Sequence, residues 1–282
     1  MTPLTRQDVV AHQAQVPWPR LYQVEQDLLL CRTMIAIFAD KFLSTQVAMR
    51  GGTVLHKVHL APASRYSEDI DLVAVGDRPE EHIRAAQKRV LEDVLGAKQS
   101  SAWSNLKLTV RNLARPSRIL RIIYKVPSVS EPGRTLAIEI EMNVSERTPH
   151  RPIQRLPFNI SFRDSVLHAT IASYDLNEML GTKMRALFQR TKGRDLFDLY
   201  WALTASRASP VTPAHVIASF RHYMGEEGTT VPRDEYLTHL ETCLADPGFR
   251  TDMEGLLPTG LSYDPRKASE AIRRKLLLLL PA

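Results

Sequence analysis

The chain has 282 residues, 44% hydrophobic and 24% charged, enough for one large domain or two modest ones with cores of their own. Its two cysteines, Cys31 and Cys243, lie far apart, which excludes a disulfide framework and a cysteine-built zinc site and suits a reducing cytoplasm. A formal net charge of +6 fits a polyanionic partner, and the longest terminal apolar run, residues 276–280, is far too short to span a bilayer, so a soluble, cytoplasmic protein is expected.

In chain order, apolar residues recur at helical spacing over residues 24–43 and predict one long amphipathic helix. Gly51 and Gly52 interrupt the pattern, and residues 54–60 predict a second helix. Residues 70–75 have strand character, and residues 79–95 read as helix. Three strands are expected next, over 106–111, 118–126 and 135–144, the last two alternating and rich in β-branched side chains. Residues 127–133 carry turn chemistry between them. A polar segment with Pro149, Pro152 and Pro157 predicts a linker, and from residue 173 the pattern is helical to the end, broken near Gly193, Pro210, Pro232, Pro247 and Pro258. The expectation is an α+β fold: a domain with a small mixed sheet over residues 1–147, a linker over 148–172 and an all-helical domain over 173–282.

Three groups of residues carry chemistry. The first is Gly51-Gly52-Thr53 followed by Ser67-Glu68-Asp69-Ile70-Asp71-Leu72. On a strand, Asp69 and Asp71 project from one face because the side-chain period is two. Two carboxylates so placed are natural ligands for Mg²⁺, which prefers hard oxygen donors. Gly52 permits a close backbone approach to a phosphate, and Thr53 adds a hydroxyl. The second is Glu139 and Glu141, flanked by Ile138, Ile140 and Met142. Carboxylates on an apolar strand need a partner. Either one completes a carboxylate triad, or they form salt bridges to Arg121 or Lys125 on a neighbouring strand. The third lies in the helical half, where Lys183 precedes Lys192-Gly193-Arg194-Asp195-Leu196-Phe197-Asp198. Asp195 and Asp198 share a helix face, and Arg194 is spaced to pair with Asp198.

Basic residues cluster too. Residues 94–130 hold seven lysines and arginines, Arg118, Arg121 and Lys125 among them, and no acid; residues 181–194 hold five, including Arg185 and Arg190, again without an acid. Such blocks either contact phosphates or are solvated faces balanced by acids elsewhere. His56 and His59 lack an obvious third ligand and read as helix or core residues, and Trp103, Trp201, Phe188 and Phe197 read as core.

Taken in order, Gly-Gly-Thr, Ser-Glu-Asp-Ile-Asp-Leu, a strand ending Ile-Glu-Met-Asn, and a lysine followed by Arg-Asp-Leu-Phe-Asp-Leu resemble the AbiEii/AbiGii nucleotidyltransferase toxins. These belong to the DNA polymerase β-like superfamily and are related to the MenT toxins, which add nucleotides to the 3′ end of tRNA. The resemblance spans residues 24–203 and is most specific over 50–72. It implies a polymerase β-like nucleotidyltransferase domain followed by a helical domain that contributes active-site residues. It further implies that Asp69, Asp71 and Glu141 hold Mg²⁺ or Mn²⁺, and that Gly51, Gly52, Thr53, Ser67, Arg194 and Asp195 contact a nucleoside triphosphate. Lys183 and Asp198 would be the catalytic lysine and aspartate. The implied acceptor is RNA, the tRNA 3′ end in particular, gripped by Arg118, Arg121, Lys125, Arg185 and Arg190, and the implied partner is a DNA-binding antitoxin of a type IV toxin–antitoxin or phage-defence operon. Transfer to a protein or a small molecule, or a non-catalytic RNA-binding role, are the alternatives. Two departures stand out: Thr53 replaces the serine of the wider superfamily, and Arg50 stands where many members have lysine.

Overall fold

The computed structural model describes residues 3–96, 104–107, 118–204 and 210–282, with 104–107 described by backbone alone. Described residues up to Tyr174 form one compact unit and those from Asp175 onward a second.

The first unit begins with α1 (Arg6–Gln13). It is closed by a reciprocal cap in which the Thr5 hydroxyl accepts from the Asp8 backbone N–H, and the Asp8 carboxylate accepts from the Thr5 backbone N–H. Next comes α2 (Leu21–Ala39), buried on every side from Gln23 to Phe38 rather than along one stripe. Sequence periodicity predicts one long amphipathic helix over 24–43; the helix ends at Ala39, and its polar positions are buried with internal partners. Glu25 accepts from the Val129 and Ser130 backbone N–H groups at 2.7 and 3.0 Å, and Gln26 donates to the Ala137 carbonyl at 3.0 Å. The Arg32 guanidinium stacks 4.9 Å from the Phe162 ring centre. A helix surrounded by protein is the element on which a layer is built.

A short helix, α3 (Leu43–Gln46), leads into β1 (Val47–Arg50). After it, α4 (Gly51–Val54) runs directly into a π-helical turn, Leu55–His59. The expected helix over 54–60 therefore starts earlier and is wider than α. The remaining strands are β2 (Asp69–Ala74), β3 (Ser104–Lys107), β4 (Arg118–Pro127), β5 (Thr135–Asn143), β6 (Gln154–Phe162) and β7 (Ser165–Ser173), with α5 (Glu80–Leu95) between β2 and β3. Together they form one mixed sheet of seven strands in the order β3-β4-β5-β2-β1-β7-β6. Parallel β2–β5 and β1–β7 pairs sit among antiparallel neighbours.

Two expectations are corrected. Residues 148–172 are not a linker: most of them form the β6–β7 hairpin, which extends the sheet past β1. Pro157 misleads because β6 is an edge strand, where the missing N–H breaks no central ladder. The strand expected at 106–111 is found at Ser104–Lys107, and residues 108–111 lie outside the described residues, as does Trp103.

The second unit is helical: α6 (Leu176–Gln189), α7 (Gly193–Thr204), α8 (Pro213–Glu226), α9 (Arg233–Ala245), α10 (Pro247–Thr251) and α11 (Pro265–Lys275), closed by a 3₁₀ turn at Leu277–Leu279. Asp175 caps α6 by accepting from the Asn177 and Glu178 backbone N–H groups. Phe197 is core, as the sequence indicated, and stacks on Trp201; Trp201 and Phe188, the latter packed on Tyr236, are only half-buried. Among the described residues, no helix is long and apolar enough to cross a membrane.

Candidate active site

Alternation along β2 and β5 buries Ile70, Leu72, Ile138, Ile140 and Met142 on one face of the sheet. Asp69, Asp71, Glu139 and Glu141 therefore occupy the other face, and all four are half-buried. Because β2 and β5 run parallel and adjacent, Asp69 sits in register with Glu139 and Asp71 with Glu141. The two pairs recognised in sequence thus become one patch of four carboxylates.

The turn after β1 is fitted to this patch. Gly51 takes φ of +82°, and a β-carbon there would lie 1.8 Å from Asp71 Oδ2. Only glycine combines that backbone conformation with that clearance. Sequence reasoning gave the close approach to Gly52; the left-handed residue is Gly51. Gly52 has a different duty. A β-carbon there would lie 2.1 Å from Arg65 Nη2, so the buried Arg65 guanidinium rests against the turn. Arg65 was not singled out from sequence, since its role depends on the loop between α4 and β2. The Thr53 hydroxyl donates to the Asp69 carbonyl at 2.5 Å and bonds to the Ser67 hydroxyl, tying the turn to the first residue of β2. Arg50 donates to Glu146 at 2.6 Å, which keeps its positive charge beside the turn.

Arg121, on β4 opposite Glu141, reaches across this face. Its Nε lies 2.5 Å from Glu139 Oε1, and its Nη2 lies 2.5 Å from Glu141 Oε1. Burial raises the Glu139 carboxyl above the usual range; Arg121 opposes that shift and the Glu141 charge adds to it. The salt-bridge alternative for the glutamates is therefore realised, and Arg121 is engaged with carboxylates. Arg118, on the opposite face, pairs with Glu80 at 2.9 Å, while Lys125 is exposed.

Hard oxygen donors with no thiol or imidazole among them fit Mg²⁺ or Mn²⁺. Among the described residues, the tight cluster of potential ligand atoms lies elsewhere: His12, Asp27 and Cys31 have donor atoms within 4.8 Å of one another. That cluster already holds a cation. Asp27 accepts from Trp18 Nε1 at 2.7 Å, from His12 Nε2 at 3.0 Å and from the Lys57 ammonium. Burial pushes the Cys31 thiol up to about 12, so it remains protonated. His56 bonds to Ser64 and His59 to Ser173, both as buried core groups.

In the second unit, α6 and α7 bring Lys183, Asp195 and Asp198 together. Lys183 Nζ lies 3.1 Å from Asp195 Oδ1 and 2.8 Å from Asp198 Oδ2, and both aspartates are fully buried. Arg190 completes the group with two bonds to Asp195, at 2.8 and 3.0 Å. Two carboxylates and two cations leave it neutral, the condition for burying charge at tolerable cost. Burial opposes ionisation of Asp195, but Lys183 and Arg190 hold its carboxyl below the usual range. Asp198 thus takes Lys183 as its partner instead of the expected Arg194, whose backbone N–H donates to Asp252 at 2.9 Å. The helical spacing of Arg194 and Asp198 was real, but Lys183 arrives from a different helix, which local spacing does not register.

Residues 32–275 match the family described as nucleotidyl transferase AbiEii toxin, type IV TA system. No curated protein sequence matches the chain. Among solved structures, the fold is similar to MenT4, a nucleotidyltransferase toxin from Mycobacterium tuberculosis H37Rv, with a TM-score of 0.60 at 16% identity over 99% of this chain and 91% of that one. It is also similar to JHP933 from Helicobacter pylori, with a TM-score of 0.50 at 13% identity over 91% of each chain.

Proposed function

The chain belongs to the AbiEii nucleotidyltransferase toxin family, and on that premise we propose that it transfers a nucleotide from a nucleoside triphosphate to an RNA 3′ end, that of a tRNA, and so blocks translation. The observation that carries this reading is the in-register pairing of Asp69 with Glu139 and of Asp71 with Glu141 beside the Gly51 turn. Asp69, Asp71 and Glu141 would hold Mg²⁺ or Mn²⁺. When bound, such ions make an acceptor hydroxyl a better nucleophile and neutralise the leaving pyrophosphate.

The rest falls to the chain's own side chains. Gly51, Gly52 and Thr53 shape the turn that receives the triphosphate, and Thr53 and Ser67 hold it against β2. Arg50 and Arg65 place positive charge beside it. Lys183, fixed between Asp195 and Asp198, is the family's candidate catalytic lysine, a preorganised positive charge in the second unit. An antitoxin encoded with the toxin is the expected partner.

The test is to incubate the purified chain with total RNA and each labelled triphosphate in turn, beside Asp69→Ala and Asp71→Ala. Label on tRNA with the wild type only, and with both variants folded by circular dichroism, is the expected result. Label appearing on protein, or transfer surviving in either variant, overturns the assignment.

A further inference from the structure

Arg121 contradicts the expectation made for it and has a chemistry of its own. One guanidinium spans two carboxylates: its Nε lies 2.5 Å from Glu139 and 2.9 Å from Glu141, and its Nη2 lies 2.5 Å from Glu141. Both bonds to Glu141 end on the same oxygen, Oε1. Across the β2–β5 pairing, those glutamates face Asp69 and Asp71. Like charges directly opposite one another destabilise a sheet, so four carboxylates on one face require a resident cation. Arg121 supplies it from β4.

A divalent ion would compete with Arg121 for the charge of Glu139 and Glu141, and at Glu141 for the one oxygen that two guanidinium nitrogens share. The geometry points to cation exchange. We propose that Arg121 occupies the carboxylate face until a divalent ion displaces it from Glu141, so that this one side chain sets the protein's metal affinity. The proposal rests on reading that face as the metal site. Arg121 acts through Glu141, as a positioning residue. Its side chain is 35% exposed, which leaves it room to swing toward solvent without unpacking the sheet.

The experiment is a Mn²⁺ titration of the full chain without nucleotide or RNA, with free ion read by electron paramagnetic resonance. Wild type, Arg121→Gln, Arg121→Lys and Asp71→Asn are compared, with a thermal melt of each in EDTA and in Mn²⁺. Losing the competing fork should tighten Mn²⁺ binding in Arg121→Gln by about tenfold, the scale of a charge-assisted hydrogen bond at a partly exposed site. That variant should also melt lower in EDTA and gain more from Mn²⁺ than the wild type does. Arg121→Lys keeps the charge but not the fork, so it should fall between the two, and it carries the comparison if the glutamine variant melts in EDTA. Equal or weaker Mn²⁺ binding in both Arg121 variants overturns the proposal and makes Arg121 a support for Glu141. Equal binding in wild type and Asp71→Asn overturns the reading of the face itself, a failure distinct from the first.

Discussion

Asp71 and Glu141 meet the turn as a unit, because the Asp71 carboxylate lies against Gly51 and Glu141 is the residue in register with it. Glu139 shares its register with Asp69, two residues earlier on both strands. That geometry ranks the two glutamates. Glu141→Gln should lower the transfer rate by at least about a hundredfold, the scale for losing a charged group acting in the transition state. Glu139→Gln should cost far less. Single-turnover rates at saturating Mn²⁺ measure this, and the reverse ranking would assign the third carboxylate to Glu139. Asp69, Asp71, Glu139 and Glu141 were legible in sequence because a period of two is a local property. Their meeting was expected only as a triad; the parallel register of β2 and β5, strands some 70 residues apart, follows from the sheet order, which local spacing does not give. Arg121 carried two readings in sequence, an RNA contact in an acid-free block and a salt bridge to the glutamates, and the β4–β5 register places it against Glu141.

Between residue and fold stand α2 and the π-helical turn, joined by one buried ion pair. Asp27 is 1% exposed and holds Lys57, Trp18 and His12 at once. Burial raises its pKa, but Lys57 and His12 win, and its carboxyl ends well below the usual range. Lys57 is held above its ordinary value, Asp27 outweighing burial. The signs define a window. The Asp27 contribution is complete above the ordinary carboxylate pKa and is lost as pH falls through and below it. The Lys57 contribution is complete below the ordinary lysine pKa and is lost as pH rises past it. Asp27→Asn leaves an ammonium buried without its counter-charge, so it should destabilise the chain by about 3 kcal/mol or more at neutral pH. The deficit relative to wild type should shrink on acidification toward pH 3. Urea titration at several pH values checks both, and a loss below about 1 kcal/mol would mean that Lys57 finds solvent instead. At this scale the sequence was legible where an element carries its own periodicity, as in β4, β5 and α5. It was illegible where context decides: β1 is four residues long, β6 carries Pro157 at a sheet edge, and α2 hides its polar side chains among partners distant in sequence.

At the scale of the whole molecule, a net charge of +6 favours a polyanion, but much of the positive charge expected to grip RNA is engaged within the chain. Arg121 serves Glu139 and Glu141, Arg190 serves Asp195, and Arg185 pairs with Glu227 at 3.1 Å, each side chain of that last pair being only 11% exposed. Arg185, buried with its partner, has little to offer a phosphate, whereas Arg190 stays 52% exposed beside Asp195. Lys125 and Lys192 are exposed, and their charges are open to solvent. RNA binding carried by such surface charges should weaken steeply with salt, because each phosphate contact releases a condensed counterion. Lys125→Gln and Lys192→Gln should therefore each weaken RNA binding and flatten the salt slope by about one, the scale for a single lost phosphate contact. Arg185→Gln should behave differently. It deprives the mostly buried Glu227 of the Arg185 charge, with Gln189 still donating to it, so its first effect should be a lower melting temperature, with the salt slope of the folded fraction unchanged. Filter binding of tRNA at several salt concentrations, run beside thermal melts, separates the two classes. If Arg185→Gln flattens the slope while the lysine variants leave it intact, the RNA surface includes Arg185, and the division of charge between core and surface must be redrawn.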